Sequence, residues 1–293
     1  MSRRLPPTAV IVLAGLSLWM HGCAGTSHTA AGPRESKPDS VPLRLACRLA
    51  NYGQYADIAL THLQSIGVRY AFTNVPTAER CDGVRRELAD HGLTALVLRG
   101  DVDFTKDTAL DTLESQLAVC ERMGVAYMFL SVKGHWPEKA VIYERLRRAG
   151  DLAGRHQVTL AIETHPELGT NADVQLETMR GVHHPNVRVN FDTGNITYYN
   201  RGRDAAGELK RIIDYVATVE IKDHDGQPES WAFPALGKGV VNIPEVVKIL
   251  RTHHYHGPVT IEIEGIKGTP WNEDQTKAAV AESVSYLRSL GGF

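Results

Sequence analysis

LAIETHPELGT, residues 160–170, is a short apolar run that delivers a carboxylate, Glu163, then His165 and Pro166. Alone it describes any buried strand running into a loop. The pattern recurs downstream: VRVNFDTGN reaches Asp192, ATVEIKDHDG passes through Glu220, and PVTIEIEG carries Glu262. Four apolar strands, each with an acid near its end, predict one site assembled from consecutive strands.

Outward from this run the chain alternates. Strand-like runs fall at 43–50, 68–75, 93–100, 126–133, 159–165, 187–192, 217–223 and 258–264. Helical patterns follow them at 54–66, 77–91, 107–123, 137–156, 172–181, 204–215, 243–254 and 273–290, several ended by glycine. Eight strand–helix pairs in about 250 residues predict the α/β class and a closed parallel (β/α)8 TIM barrel rather than an open doubly wound sheet. No GxGxxG follows the first strand and no GxxxxGK[ST] occurs, so dinucleotide and P-loop folds lack their fingerprints.

Residues 1–23 read as an export signal. Arg3 and Arg4 precede a twelve-residue apolar run, Ala9 to Met20. That is short for a membrane span and suits a signal-peptide core. His21-Gly22-Cys23-Ala24 resembles a bacterial lipoprotein signal in which Cys23 is lipidated; plain secretion with cleavage nearby is the alternative. Both predict export, either to the bacterial periplasm or to a membrane through an N-terminal lipid anchor. Residues 24–42 are small, polar and proline-containing, a flexible linker. The single barrel domain then spans 43–293. Lys+Arg 32 against Asp+Glu 34 gives a net charge of −2, which argues against a nucleic-acid partner. Cys47, Cys81 and Cys120 are scattered, with no CxxC, which argues against a disulfide scaffold or a cysteine zinc site.

In such barrels the active site lies at the C-terminal mouth of the strands. Glu163, Asp192, Glu220 and Glu262 would converge there and repel one another unless a cation sits among them. Oxygen donors favour a hard divalent ion, Mg²⁺ or Mn²⁺, with Co²⁺ or Zn²⁺ as alternatives. The bland alternative is a set of separate salt bridges at the barrel rim. Strand alternation puts His165 on the face of Glu163, Lys222 on that of Glu220, and Glu264 on that of Glu262. Lys133, at the fourth strand end, could hold an oxyanion or a hydroxyl. His224 could reach a substrate from a polar loop. Trp231 and Phe233 could form an apolar wall for a sugar face, or a lid.

AIETHP, HPNVRVNFDTGN, TVEIKDHDG with FPALGKGVV, and GPVTIEIEG together resemble the xylose isomerase-like barrel superfamily, over residues 43–290. The closer likeness is to its sugar phosphate isomerase/epimerase group, with tagatose/psicose 3-epimerases and inosose dehydratases and isomerases. The resemblance implies a divalent metal held by Glu163, Asp192, Glu220 and Glu262. It also implies proton transfer next to a sugar carbonyl, with Glu163 and Glu262 as general base and acid. It implies a small-molecule sugar substrate, contacted by residues such as Lys133, His165, Asn195, Lys222, His224 and Trp231. Where a leaving group lies β to the carbonyl, the same proton removal becomes a lyase reaction. The chain departs from the pattern at Glu220, where His is common, and at Asn195, where many members carry His. Four ionised carboxylates around one divalent ion leave a charge of about −2. Either one acid is protonated, or it pairs with Lys222, or His165 or His224 supplies a neutral ligand. The nuclease branch needs further histidines that this chain lacks. A non-catalytic exported sugar-binding barrel is the rival of another class.

Overall fold

The structure, a computed structural model, describes residues 41–133 and 138–293. The export signal, Cys23 and the linker up to residue 40 lie outside the described residues, as does the segment 134–137 at the expected start of the fourth helix. Eight parallel strands close into a barrel. They are β1 (Arg44–Arg48), β2 (Tyr70–Asn74), β3 (Thr94–Arg99), β4 (Tyr127–Leu130), β5 (Thr159–Glu163), β6 (Val187–Asp192), β7 (Val216–Ile221) and β9 (Pro258–Ile261). Closure is made by β9 pairing with β1, Leu45 opposite Val259. The expected TIM barrel is therefore present; β6 has its expected bounds, β7 starts one residue early, and the other strand ends are trimmed by at most three residues.

The helices pack around the outside: α1 (Ala59–Ser65), α2 (Cys81–Asp90), α3 (Ala109–Met123), α4 (Lys139–Arg155), α5 (Ala172–Val182), α7 (Ala205–Ile212), α8 (Ile243–Thr252) and α9 (Glu273–Ser289). Their buried faces, such as Leu113, Leu117 and Cys120 on α3, cover the strands and form the main core. A 3₁₀ segment, Leu49–Ile58, precedes α1 and breaks at Gly53, whose φ of 51° is left-handed. Cys47, Cys81 and Cys120 are buried free thiols. Inside the barrel, Phe72, Val97 and Phe129 form a separate apolar cluster on the β2–β4 side. The opposite side is polar. Thr218 donates to Asn190 Oδ1 at 2.6 Å, and Asn190 Nδ2 donates to Glu220 Oε2 at 2.8 Å. A barrel with one polar inner half is prepared to carry charge at its mouth.

Two elements lie outside the alternation. The short helix α6 (Thr193–Tyr199) follows β6 at once. A two-stranded antiparallel pair, β8 (Ala232–Phe233) with β10 (Gly265–Ile266), ties the loops after β7 and β9 together. The loop carrying β8 is organised by one buried carboxylate. Asp223 Oδ2 accepts the backbone N–H groups of Gly237 (2.9 Å) and Gly239 (2.8 Å), and Oδ1 accepts those of His224 (2.9 Å) and Val241 (3.1 Å). Gly239 permits this approach, because a Cβ there would lie 2.3 Å from Asp223 Oδ1 and from the His224 carbonyl. Replacing Asp223 with Ala leaves four backbone donors without their acceptor. Urea unfolding of Asp223→Ala is expected to show a loss of about 3 kcal/mol or more. A loss below about 1 kcal/mol would show that the loop does not depend on this carboxylate.

Candidate active site

Register brings the strand-end acids within two residues of one another. Asp192 on β6 lies opposite Glu220 on β7, and Glu220 lies opposite Thr260, two residues before Glu262. Asp192, Glu220 and Glu262 are all buried. Each presents a carboxylate oxygen, and these oxygens lie within 4.8 Å of one another. Glu163 is outside this group. It stands at the end of β5 and lines an adjoining cavity of about 220 Å³. Of the four acids expected together, three converge and the fourth faces the cavity beside them.

Two buried cations are threaded through the cluster. Arg48, the last residue of β1, donates through Nη1 to Glu220 Oε1 at 3.0 Å and also to Glu262 Oε1. Its guanidinium lies over Phe72 and Phe129, 4.9 and 5.2 Å from the ring centres. Lys222 Nζ lies 3.8 Å from Asp192 Oδ2, 3.3 Å from Glu262 Oε2 and 2.5 Å from Glu264 Oε2, and 4.1 Å from the centre of the Phe233 ring. Of the alternatives raised by the charge count, pairing of an acid with Lys222 is present, to Asp192, Glu262 and Glu264, while Glu220 takes Arg48.

The segment DTGN, residues 192–195, builds the Lys222 side of the site. Asp192 Oδ1 accepts the Asn195 N–H at 2.9 Å and so caps α6. Thr193 Oγ1 donates to the Lys222 carbonyl at 2.7 Å and accepts from the Lys222 N–H at 2.9 Å. Gly194 leaves space for the lysine stem, since a Cβ would sit 2.7 Å from Lys222 Cγ. Asn195 donates to the Thr164 carbonyl at 3.0 Å and accepts from Lys222 Nζ at 3.3 Å.

Burial sets the proton affinities. It pushes Glu220 up to about 8, with Glu262 adding to the effect and Arg48 opposing it. Burial raises Asp192 well above the usual carboxylate range against the pull of Lys222. Burial also raises Glu163, with Glu262 adding and Arg48 opposing. Glu262 goes the other way. Burial acts to raise it, but Lys222 and Arg48 together outweigh that and hold it below an ordinary glutamate. In both cations burial is outweighed too: Glu220 and Glu262 hold Arg48 in its charged form, and Glu262 and Asp192 do the same for Lys222.

The other expected site residues divide. Lys133, His165, Asn195, Lys222 and Trp231 line the 220 Å³ cavity with Glu163 and Glu262. His165 packs edge-on against Tyr199, and burial, then Lys133, lowers it to about 4, so it is neutral at pH 7. His224 is fully buried and is not among the residues lining this cavity. Its Nδ1 accepts from the Gly226 N–H at 3.2 Å and its Nε2 donates to the Ser230 carbonyl at 2.8 Å. It supports the floor under Phe233 and Tyr198. The alternation argument does not yield Arg48, Arg99, Tyr198 or Tyr199. The first two ended apolar runs, LRLACR and LTALVLR, and the rule that found the acids would have found them had it been applied to bases.

The donor set fits a hard cation. Asp192 Oδ2 and Glu262 Oε2 are buried without a hydrogen-bond partner among the described residues. Their nearest counter-charge is Lys222 Nζ, at 3.8 and 3.3 Å, so each keeps acceptor capacity that a cation could use. Neighbouring cavities of about 610 and 510 Å³ also touch Arg48; Glu262 lines both the 510 and the 220 Å³ cavities, and Glu163 lines only the smaller of these two.

Fold and site together define a parallel barrel with an acidic mouth whose carboxylates could hold a cation. Residues 55–290 match the family described as the xylose isomerase-like TIM barrel, and the chain belongs to that family. No curated protein matches it by sequence. Among solved structures, a xylose isomerase domain protein from Planctomyces limnophilus aligns with TM-score 0.70 and 21% identity, over 86% of this chain and 97% of that one. The D-psicose 3-epimerase of Clostridium cellulolyticum H10, solved with D-tagatose, gives 0.68 and 14%, over 85% and 99%. A probable 3-DHS dehydratase from Bacillus anthracis gives 0.66 and 16%, over 83% and 99%. At these identities the likeness is one of fold.

Arg48 is 12% exposed and Glu220 fully buried, so this pair is expected to behave as a buried one. Arg48→Met should cost about 3–5 kcal/mol in urea unfolding. Adding Glu220→Gln should make the double variant more stable than the sum of the single changes predicts, by about 1 kcal/mol or more. Simple additivity would deny the coupling.

Proposed function

We propose that this protein is a divalent-metal-dependent sugar isomerase or epimerase that moves a proton on the carbon next to a carbonyl. The observation that carries this reading is the convergence of three buried carboxylates, Asp192, Glu220 and Glu262, whose oxygens lie within 4.8 Å of one another, beside a cavity that Glu163 lines. Asp192, Glu220 and Glu262 would hold the metal, with Glu163 the nearest further carboxylate of the expected set; Mn²⁺ or Mg²⁺ suits such donors. When bound, the ion supplies electrostatic stabilisation of negative charge developing on the substrate's carbonyl oxygen.

The remaining work falls to side chains. Glu262 is held ionised by Lys222 and Arg48, so it is the carboxylate ready to accept a proton. Glu163 is inclined by burial to keep one, so it is the group ready to donate. That order reverses the assignment drawn from the resemblance, and it reverses again when the other epimer is the substrate. Lys222 Nζ can turn toward a substrate oxygen from within its carboxylate ring. Neutral His165 and Asn195 offer hydrogen bonds to hydroxyl groups without adding charge. Tyr198, Tyr199, Trp231 and Phe233 form the aromatic wall that limits water. The cavity lies below the ~300 Å³ typical of drug-sized ligand sites, which suits one small polar molecule.

A second reading, elimination, shares this first step. One neighbour of the same fold is a probable dehydratase, and a substrate with a leaving group β to its carbonyl would undergo elimination here. The export reading of residues 1–23 points to substrates met outside the cytoplasm.

A panel of keto-sugars incubated in D₂O with Mn²⁺ and followed by proton NMR tests the proposal. Wild type is expected to exchange the proton next to the carbonyl of at least one sugar. Removing the metal with EDTA should abolish exchange, and Glu163→Gln or Glu262→Gln should slow it by about 10²-fold or more. Loss of water from the sugar would favour elimination over epimerisation. No exchange with any sugar, or exchange that survives both substitutions, would sink the mechanism.

A further inference from the structure

The barrel mouth is electrically divided. Its acids end β5, β6, β7 and β9, whereas β1 ends in Arg48, β3 in Arg99, and the chain leaving β4 carries Lys133. Arg48 is committed to Glu220 and Glu262. Arg99 and Lys133 make no ion pair within 4 Å among the described residues, although Lys133 is near enough to Glu163 to favour its charged form, and both line the same cavity as Glu163, His165 and Lys222. Arg99 is only partly exposed, on a strand end directly opposite Phe129. A guanidinium withdrawn from water without a counter-charge is destabilising, and proteins that retain one commonly use it for an anion. The chain hugs β4 at this point: a Cβ on Gly100 would lie 2.8 Å from Leu130 Cδ2 and 2.9 Å from Met128 Sδ.

We infer that Arg99 and Lys133 form an anion subsite, and that the substrate is a sugar derivative bearing a carboxylate or a phosphate. The inference rests on the reading of this cavity as the substrate site. The anionic end lies against the β3–β4 wall, and the reacting carbon is directed to the carboxylates of β5–β9. Placed the other way round, the anion would meet Glu163 and Glu262 and be repelled. The divided mouth therefore fixes the substrate's direction as well as its class. Arg99 can engage either anion with two parallel N–H donors, whereas Lys133 offers a point charge.

Calorimetric titration of the Mn²⁺-supplemented protein with D-glucuronate, D-glucose 6-phosphate and D-glucose tests this. At least one anionic probe is expected to bind about tenfold or more tighter than glucose. Which of the two does so separates carboxylate from phosphate. In Arg99→Gln the preference should fall to near unity, and about 0.5 M NaCl should weaken it in wild type. Lys133→Gln, at an exposed position that does not threaten folding, should weaken it by a few-fold. Equal binding of all three probes, no binding of any, or a preference that persists in the Arg99→Gln, Lys133→Gln double variant overturns the inference. Arg99-dependent anion binding without proton exchange in any keto-sugar would retain this subsite and discard the isomerase reading. Exchange on neutral keto-sugars with no anion preference would do the reverse.

Discussion

Two like charges 4 Å apart repel by about 4 kcal/mol at an effective dielectric of 20, and this barrel mouth buries three carboxylates whose oxygens lie within 4.8 Å. The arrangement survives because Arg48 and Lys222 are built into it. Neither reaches the cluster by local folding. Arg48 meets Glu262 because β9 closes the barrel against β1. Lys222 meets Asp192 because β6 and β7 are register partners and because Gly194 gives its stem room. Closing the barrel and assembling the site are therefore one event, and a barrel that failed to close would leave the carboxylates repelling without their arginine.

The same constraint explains the differing proton affinities. All these acids are desolvated, which alone would neutralise each of them. Glu262 is the one touched by both cations, and it alone of the cluster is held more acidic than usual. Glu163 is touched by neither at ion-pair distance, and burial governs it. Two glutamates with opposite leanings, separated in role by which cations reach them, form the kind of pair that proton-transfer chemistry uses.

Much of this was legible in the sequence, and the reason is local. A strand carries its side chains with period two, so an acid at the end of an apolar run advertises both its face and its level in the barrel. That is why eight strands, the carboxylates and the neighbouring faces of His165, Lys222 and Glu264 could be placed in advance. Illegible were the facts that depend on distant partners. Arg48 lies 172 residues from Glu220, and nothing near either announces the pair. Glu163 shares the mouth with the other acids, but strand position does not say how far a side chain reaches. His224 stands in a polar stretch that reads as exposed, yet the Asp223 carboxylate folds the whole 223–241 loop inward over it. Helix α6 is only seven residues long, and what starts it is the side chain of Asp192, already assigned to the site.

The charge count at the mouth bears on why Glu220 stands where a neutral histidine is common. The carboxylates reached by Arg48 and Lys222 are Asp192, Glu220, Glu262 and Glu264, which sum to −4 when ionised. The two cations return +2, and the remaining −2 is what one divalent ion would neutralise; without such an ion, burial favours the protonated forms of Glu220 and Asp192. With a neutral residue at 220 the remainder would be −1, and Arg48 would keep only Glu262. With Glu220 but without Arg48 the remainder would be −3. Arginine at 48 and glutamate at 220 therefore belong together: each makes the other tolerable, and as a pair they leave the excess charge of the cluster as it would be without either. Glu220 is thus compensated within the cluster by Arg48, while Asp192 Oδ2 and Glu262 Oε2, which make no hydrogen bond, have Lys222 Nζ as their counter-charge.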